Sequence, residues 1–404
     1  MTFIGLGAMG HPMAARLHQA AAIDLAVFDV SAAAMARAAG IGRPAATIGA
    51  ALRDADVIMT MLPADAEVAE VVAQVREHAR DGAIFVDFST VHPDTITAAA
   101  ASLAPRVAVL SATCMKSVAA AVSGELTLYL GGDRDVLSGL DPMLAAMAAT
   151  RIDVGDPASA KSLKLVNNLM VASTNLAIAE LAVIGASHQL GYARLVAAFE
   201  RAGLGGWALI NQVKKHTLAG DLGPGLFSTR YMAKDVTLAA RLADDRHVPR
   251  FLGGPVLAAL RGAEALGYGD YYHPVVIRWL EATACVSSSL DPADQATGAS
   301  EVAGDLCAAM AVLDRLIAWH GLDLAAAAGI PAQQAAAALS QASARSAAVA
   351  GAAADPGSLH AVGHDQLGAA LDRVRALAIS THVPALVIES AHDYLAYLTA
   401  GGRI

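Results

Sequence analysis

The sequence predicts an α/β Rossmann-type doubly wound parallel sheet followed by all-α helical domains. Three observations lead there. A glycine-rich loop sits between an apolar run and a helical pattern at the very start of the chain, short apolar runs alternate with helical patterns for roughly the first 158 residues, and only helical periodicity follows. The expected division is a dinucleotide-binding domain over 1–158, a helical domain over 159–290 and a second helical domain over 291–404.

Composition narrows the function classes. The 404 residues are 55% apolar, 16% charged and 4% aromatic, which suits alanine-rich helices packed through small side chains. Asn, Ser, Thr or Glu interrupts the longest apolar stretches, so no membrane span is expected. A net charge of −9 argues against nucleic acid as the main partner, because phosphate binding needs a basic face. Cys114, Cys285 and Cys307 are too far apart for a disulfide scaffold or a metal pairing. The first residues already read as a strand and leave no room for a signal peptide, so a cytoplasmic protein is expected.

Met1–Ile4 is the first apolar run, and Gly5-Leu6-Gly7-Ala8-Met9-Gly10 follows it before a helical pattern through Leu17. This is a G-x-G-x-x-G loop in strand-then-helix context. Its glycines allow a tight turn, close approach of a pyrophosphate, and close helix–strand packing. The next run, Leu25–Phe28, ends in Asp29. A carboxylate there can accept hydrogen bonds from adenosine ribose hydroxyls and would repel a 2′-phosphate, which favours NAD over NADP; the alternative is a solvated strand-end aspartate. Further strands are expected at Val57–Met61, ending in Leu62-Pro63, at Ala83–Phe88, ending in Ser89-Thr90, and at Val107–Leu110. Ligands of such sheets lie beyond the carboxyl ends of the strands, which places Met61, Leu62, Pro63 and Thr90 with the glycine loop along one crevice.

The stretch Ser159–Gly191 joins the two architectures. It has no proline, and its first glycine is Gly185, so a helix can run from Ser159 to Ile184, 26 residues. No charge follows Lys164 until Glu180. A rod this apolar belongs among other helices, yet Lys164, Asn167 and Asn168 share one face of it. A lysine can serve as acid or base when burial draws its pKa toward neutrality, and an asparagine one turn away can orient a substrate oxygen. The bland alternative is a lysine reaching water from a helix end.

Six segments together resemble the β-hydroxyacid dehydrogenase family: FIGLGAMGHPMAARL (3–17), ADVIMTMLP (55–63), FVDFSTVHP (85–93), GELTLYLGG (124–132), KSLKLVNNLM (161–170) and MAKDVTLA (232–239). The resemblance covers about residues 1–290. It implies a catalytic lysine at Lys164 with Asn168 as its companion; Asn167, on the same face, can anchor the helix or share the role of Asn168. It also implies that Lys234 approaches the cofactor, against the plainer reading of a surface charge pair with Asp235. The implied activity is NAD-dependent hydride transfer to or from a small hydroxy acid or related carbonyl compound, without a metal. Reduction of an imine or bulkier carbonyl, and a non-catalytic dinucleotide-binding role, are the alternatives.

One segment departs from the family. Where it carries a Ser-Gly-Gly loop that grips the substrate carboxylate, this chain has Met115-Lys116-Ser117. Lys116 either binds an anion as a mobile point charge or is a solvated surface lysine. The last hundred-odd residues resemble a second copy of the first helical domain. Ser187–Gly191 is matched with Trp319–Asp323, and residues 235–249 with 370–384, both of the latter ending in His-Val-Pro. The copy has Ala369-Ala370 in place of Lys234-Asp235, so it reads as structural. The resemblance implies a homodimer, or a monomer if the repeat stands in for the partner subunit.

Overall fold

A computed structural model describes residues 1–20, 23–288 and 299–401. The chain divides into two compact units, Met1–Leu165 and Val166–Ile404.

The first unit is built on an eight-stranded sheet. Its strands are β1 (Thr2–Ile4), β2 (Ala26–Phe28), β3 (Arg43–Pro44), β4 (Val57–Thr60), β5 (Ile84–Asp87), β6 (Ala108–Met115), β7 (Leu126–Gly131) and β8 (Ala148–Asp153). They are ordered β3-β2-β1-β4-β5-β6-β7-β8, and every pairing is parallel except that of β6 with β7. Alternate residues of each strand enter opposite faces. Phe3, Met59 and Val86 join one apolar core, and their neighbours Ile4, Ile58 and Phe85 join the other. Strand β1 lies between β2 and β4, so the order reverses there and opens the crevice that such folds use for ligands.

Within the second unit, two long helices organise the packing. The helix Pro157–Ser187 enters from the first unit, and Ala299–Ala327 is its counterpart further along the chain. The first runs straight through Gly185, where the sequence suggests a stop. A Cβ at Gly185 would lie 3.3 Å from Leu306, and one at Gly321 would lie 2.4 Å from the Met170 sulfur. The glycines therefore let the two helices approach closely. Between these contacts the first index falls by 15 (185 to 170) while the second rises by 15 (306 to 321), so the helices run antiparallel.

The segments that follow the two helices repeat one another. Tyr192–Arg201, Thr229–Asp245 and Gly253–Ala263 correspond to Ala332–Leu339, His364–Thr381 and Leu386–Ala400. Both His-Val-Pro sites end their helices alike: His247 (φ 55°) and His382 (φ 57°) are left-handed, and the next amide bonds back to Ala243 and Ala378. The other pairing expected from sequence is wrong. Trp319–Asp323 lies inside the helix Ala299–Ala327, whereas Ser187–Gly191 forms a helix end. The true counterpart is Gly329-Ile330. Gln189 and Gly329 are both left-handed, and Leu190 and Ile330 bond back to Gly185 and Ala325. In alanine-rich sequence a shared histidine outweighed this cap signal, shifting the register from an offset of 140 (329 − 189) to 132 (319 − 187). The linker expected at Ser287–Pro292 lies largely outside the described residues.

Glu180 and His320 sit at this same offset (320 − 180 = 140), and each reaches into the other segment. Glu180 accepts from the Val387 and Ile388 amides at 2.8 and 3.3 Å, capping the helix Leu386–Ala400, and His320 Nε2 donates to the Pro249 carbonyl at 2.8 Å. Burial raises the Glu180 carboxyl to about 8 in spite of those amides, and raises Asp314, which accepts from the Gly205 amide, to about 7. Native protein then holds protons that the unfolded chain releases. Stability should therefore decline by a few kcal/mol, roughly, as pH rises from about 4.5 through 8. Urea midpoints between pH 5 and 9 measure this, and Glu180→Gln should flatten the slope.

Candidate active site

The glycine loop has the geometry of a phosphate cradle. Gly5 is left-handed (φ 92°) and its amide donates to the Phe28 carbonyl at 3.0 Å. A Cβ there would lie 2.3 Å from the Met61 carbonyl oxygen, and one on Gly10 would lie 1.9 Å from that of Gly5. A Cβ on Gly7 would meet nothing within 4 Å, so the second glycine faces open space where a ligand can approach the backbone. Leu6, Ala8 and Met9 complete the turn into the helix Gly10–Ala20, whose N-terminus brings a partial positive charge. Asp29 directly follows β2, where it accepts from the Leu6 amide and from the Ser31 amide, each at 2.7 Å. Its carboxylate is thereby fixed at the edge of the loop. This set fits a dinucleotide.

Two neighbouring strand ends are tied together by charges that sequence reasoning overlooked. Asp87 and Lys161 are both fully buried and form an ion pair at 2.7 Å. Lys161 Nζ also donates to the Asp87 and Ser89 carbonyls, each at 2.8 Å. The other Asp87 oxygen accepts from Thr60 (2.7 Å) and from the Ser89 hydroxyl (2.6 Å), while Ser89 Oγ accepts from the Leu62 amide at 2.8 Å. Leu62 after β4 is thus tied to Ser89 after β5 by one buried polar cluster, with Met61 and Pro63 flanking Leu62 and Thr90 following Ser89. The available signals were Lys161 three residues before Lys164, and an aspartate closing an otherwise apolar strand.

Lys164 is half-buried, one turn beyond Lys161, with Nζ 3.9 Å from the Met115 sulfur at the end of β6. Both lysines lower the pKa of the nearby Cys114 thiol, but burial outweighs them and pushes it up to about 12, so the thiol stays neutral. Lys116 is left-handed (φ 79°), the conformation a glycine would supply, so the loop keeps a glycine-type turn without a glycine. Its Nζ donates to the Glu125 carbonyl at 2.7 Å. Ser117 begins the short helix Val118–Ser123 without capping it through its side chain. The structure brings Met115 to Lys164 and turns the Lys116 ammonium to the loop's own backbone.

The helix carrying Lys164 continues into the second unit, where Asn168 lies one turn on. Asn168 Nδ2 donates to Asp235 at 2.6 Å, and Lys234 pairs with the other Asp235 oxygen at 3.1 Å. Asn167 Nδ2 donates to Asn168 Oδ1 at 3.0 Å. Asp235 is therefore a buried member of the polar group, and the plain reading of a surface charge pair does not describe it. Further along, Asn175 donates to Gln212, which pairs with His273; burial drops that imidazole to about 3 and keeps it neutral.

A sheet reversing at a glycine loop, with an aspartate closing the next strand, defines an NAD(P)-binding oxidoreductase. Residues 1–155 match the NAD-binding domain of 6-phosphogluconate dehydrogenase, and residues 158–280 the NAD-binding domain of NADP-dependent 3-hydroxyisobutyrate dehydrogenase. The 3-sulfolactaldehyde reductase of Escherichia coli K12 is 33% identical over 274 residues, 67% of this chain and 91% of that one. The NAD-dependent L-serine dehydrogenase of Pseudomonas aeruginosa is 29% identical, over 70% of this chain and 98% of its own. Among solved structures, 3-hydroxyisobutyrate dehydrogenase of Mycobacterium tuberculosis with L-serine is 28% identical with a TM-score of 0.65, over 69% of this chain and 98% of that one. The chain belongs to the β-hydroxyacid dehydrogenase family. Residues 281–404 lie beyond both family matches.

Proposed function

We propose that the protein is an NAD-dependent dehydrogenase or reductase of a small hydroxy acid, with Lys164 as acid/base and Asn168 as the group that orients the substrate oxygen. The observation that carries this reading is the pair itself: a lysine and an asparagine one turn apart on a single helix, the latter held by Asp235. A bound nicotinamide would supply the hydride acceptor or donor. In oxidation, Lys164 Nζ takes the hydroxyl proton, and in reduction it returns that proton to the carbonyl oxygen. An amide nitrogen has two hydrogens; Asp235 takes one from Asn168, and the other serves the substrate oxygen. Relatives named for 3-sulfolactaldehyde, L-serine and 3-hydroxyisobutyrate support a small acid as substrate. Following absorbance at the reduced nicotinamide band over a panel of such acids tests the reading, and no turnover with any of them would count against it.

Asp29 supports NAD over NADP, because a 2′-phosphate would meet its carboxylate. In Asp29→Asn, the ratio of kcat/KM for NAD to that for NADP should fall by about tenfold or more, as expected for ~1.4 kcal/mol of lost repulsion. A wild-type preference for NADP would contradict the assignment.

For the partner, we propose that the second helical segment covers the surface that a second subunit's helical domain would otherwise cover. The reciprocal Glu180 and His320 bonds and the close helix crossings support this. A dimer, if formed, then uses another face. Removing residues 291–404 should leave an insoluble or inactive remainder. A soluble, fully active fragment would contradict the proposal.

A further inference from the structure

We propose that the loop Ala342–Ser346 of the second helical segment is part of the site's support, and that Ser343 is a positioning residue acting through Asn167 on Asn168. The inference rests on the role assigned to Asn168 above, but not on the identity of the substrate.

The hydrogen bonds run in one direction. Ala344 has a buried backbone N–H, which can only donate, and it reaches Asn167 Oδ1 at 3.0 Å. The Ser343 hydroxyl lies 3.2 Å from the same oxygen and accepts from Asn167 Nδ2 at 2.9 Å. With its oxygen held by the loop, Asn167 must present Nδ2 to Asn168 Oδ1, 3.0 Å away. Asn168 then faces Asp235 with its nitrogen, at 2.6 Å, the only arrangement a carboxylate accepts. Asn167 uses two donors and two acceptor positions in this chain, so a rotated amide would forfeit several bonds at once.

The loop is anchored independently of Asn167. The Trp207 amide donates to the Arg345 carbonyl at 2.8 Å, and a Cβ on Gly206 would lie 2.2 Å from that oxygen. Gly206 is left-handed (φ 51°), so the first segment's loop closes on the second segment's backbone. The repeat thus lacks the lysine yet fixes the amide beside it. Its contribution is orientation, transmitted over three side chains.

Ser343→Ala tests the idea, with Ser343→Thr as the conservative variant and Asn167→Asp as an inverting one. The aspartate keeps the size and still accepts from the Ala344 amide and the Ser343 hydroxyl, but it gives up the donation to Ser343 Oγ and turns an acceptor toward Asn168 Oδ1. Ser343→Ala should lower kcat about three- to tenfold, with KM for the cofactor and thermal midpoint unchanged. Ser343→Thr should recover most of that loss, and Asn167→Asp should lower kcat on the order of 100-fold. A readout without turnover is also available. The chain has four asparagines, 167, 168, 175 and 211, so 15N-asparagine labelling yields four side-chain amide signals. The Asn168 amide should exchange faster with solvent in Ser343→Ala while Asn175 is unaffected. Unchanged exchange at Asn168, or a kcat loss that tracks a fall in thermal midpoint, would overturn the proposal. If Lys164→Ala keeps full turnover, the reading of the site fails instead, and the exchange experiment still decides the role of Ser343.

Discussion

Lys161→Met is expected to cost the first unit about 3–5 kcal/mol, the range for breaking a buried ion pair from one side. The lysine is fully buried, and its removal strands the Asp87 carboxylate where no water reaches. The cost should extend beyond the charge, because Asp87 also organises Thr60 and Ser89, and Ser89 holds the Leu62 amide. Urea unfolding measures it. The double variant Lys161→Met/Asp87→Leu should lose less than the sum of the single changes, because it leaves no unpaired charge. Equal stability of wild type and Lys161→Met would show that the pair contributes nothing net.

Lys164→Ala should behave in the opposite way. Lys164 is half-buried, with its Nζ beside the Met115 thioether, whereas Lys161 is fully buried, so truncation at Lys164 should cost the fold less. Turnover should fall by about 10²–10⁴, the usual worth of a positioned acid/base, while NADH affinity stays within about twofold. Lys164→Arg should not restore it, since a guanidinium keeps its proton at neutral pH. Two lysines one turn apart on one helix are thus expected to separate cleanly, Lys161 moving stability and Lys164 moving rate.

Much of the first unit was legible because its signals are local. A glycine loop between strand and helix, and an aspartate at the next strand end, are set by backbone geometry that few other residues satisfy. Strand β6 runs to Met115, well past the expected Leu110, because pairing with antiparallel β7 extends it, and that is a tertiary effect. The two-residue β3 left no apolar run to find. Lys161 and Asp87 went unread because their partnership spans 74 positions, and each alone resembles an ordinary charge near an element end. The repeat was visible at His-Val-Pro, where the cap needs a left-handed residue, but was misregistered at Trp319, where only residue identity guided the match. Ser343 carries no sequence signal at all: its bond to Asn167 is made across 176 positions.

The most direct measurement is a single turnover. Enzyme saturated with NADH is mixed with the carbonyl form of a small hydroxy acid in a stopped-flow instrument, and absorbance of the reduced nicotinamide is followed for wild type and Lys164→Ala. The account predicts rapid loss of absorbance in the wild type and loss slower by about 10²–10⁴ in the variant, from equally occupied cofactor sites. Equal rates in the two proteins would contradict it.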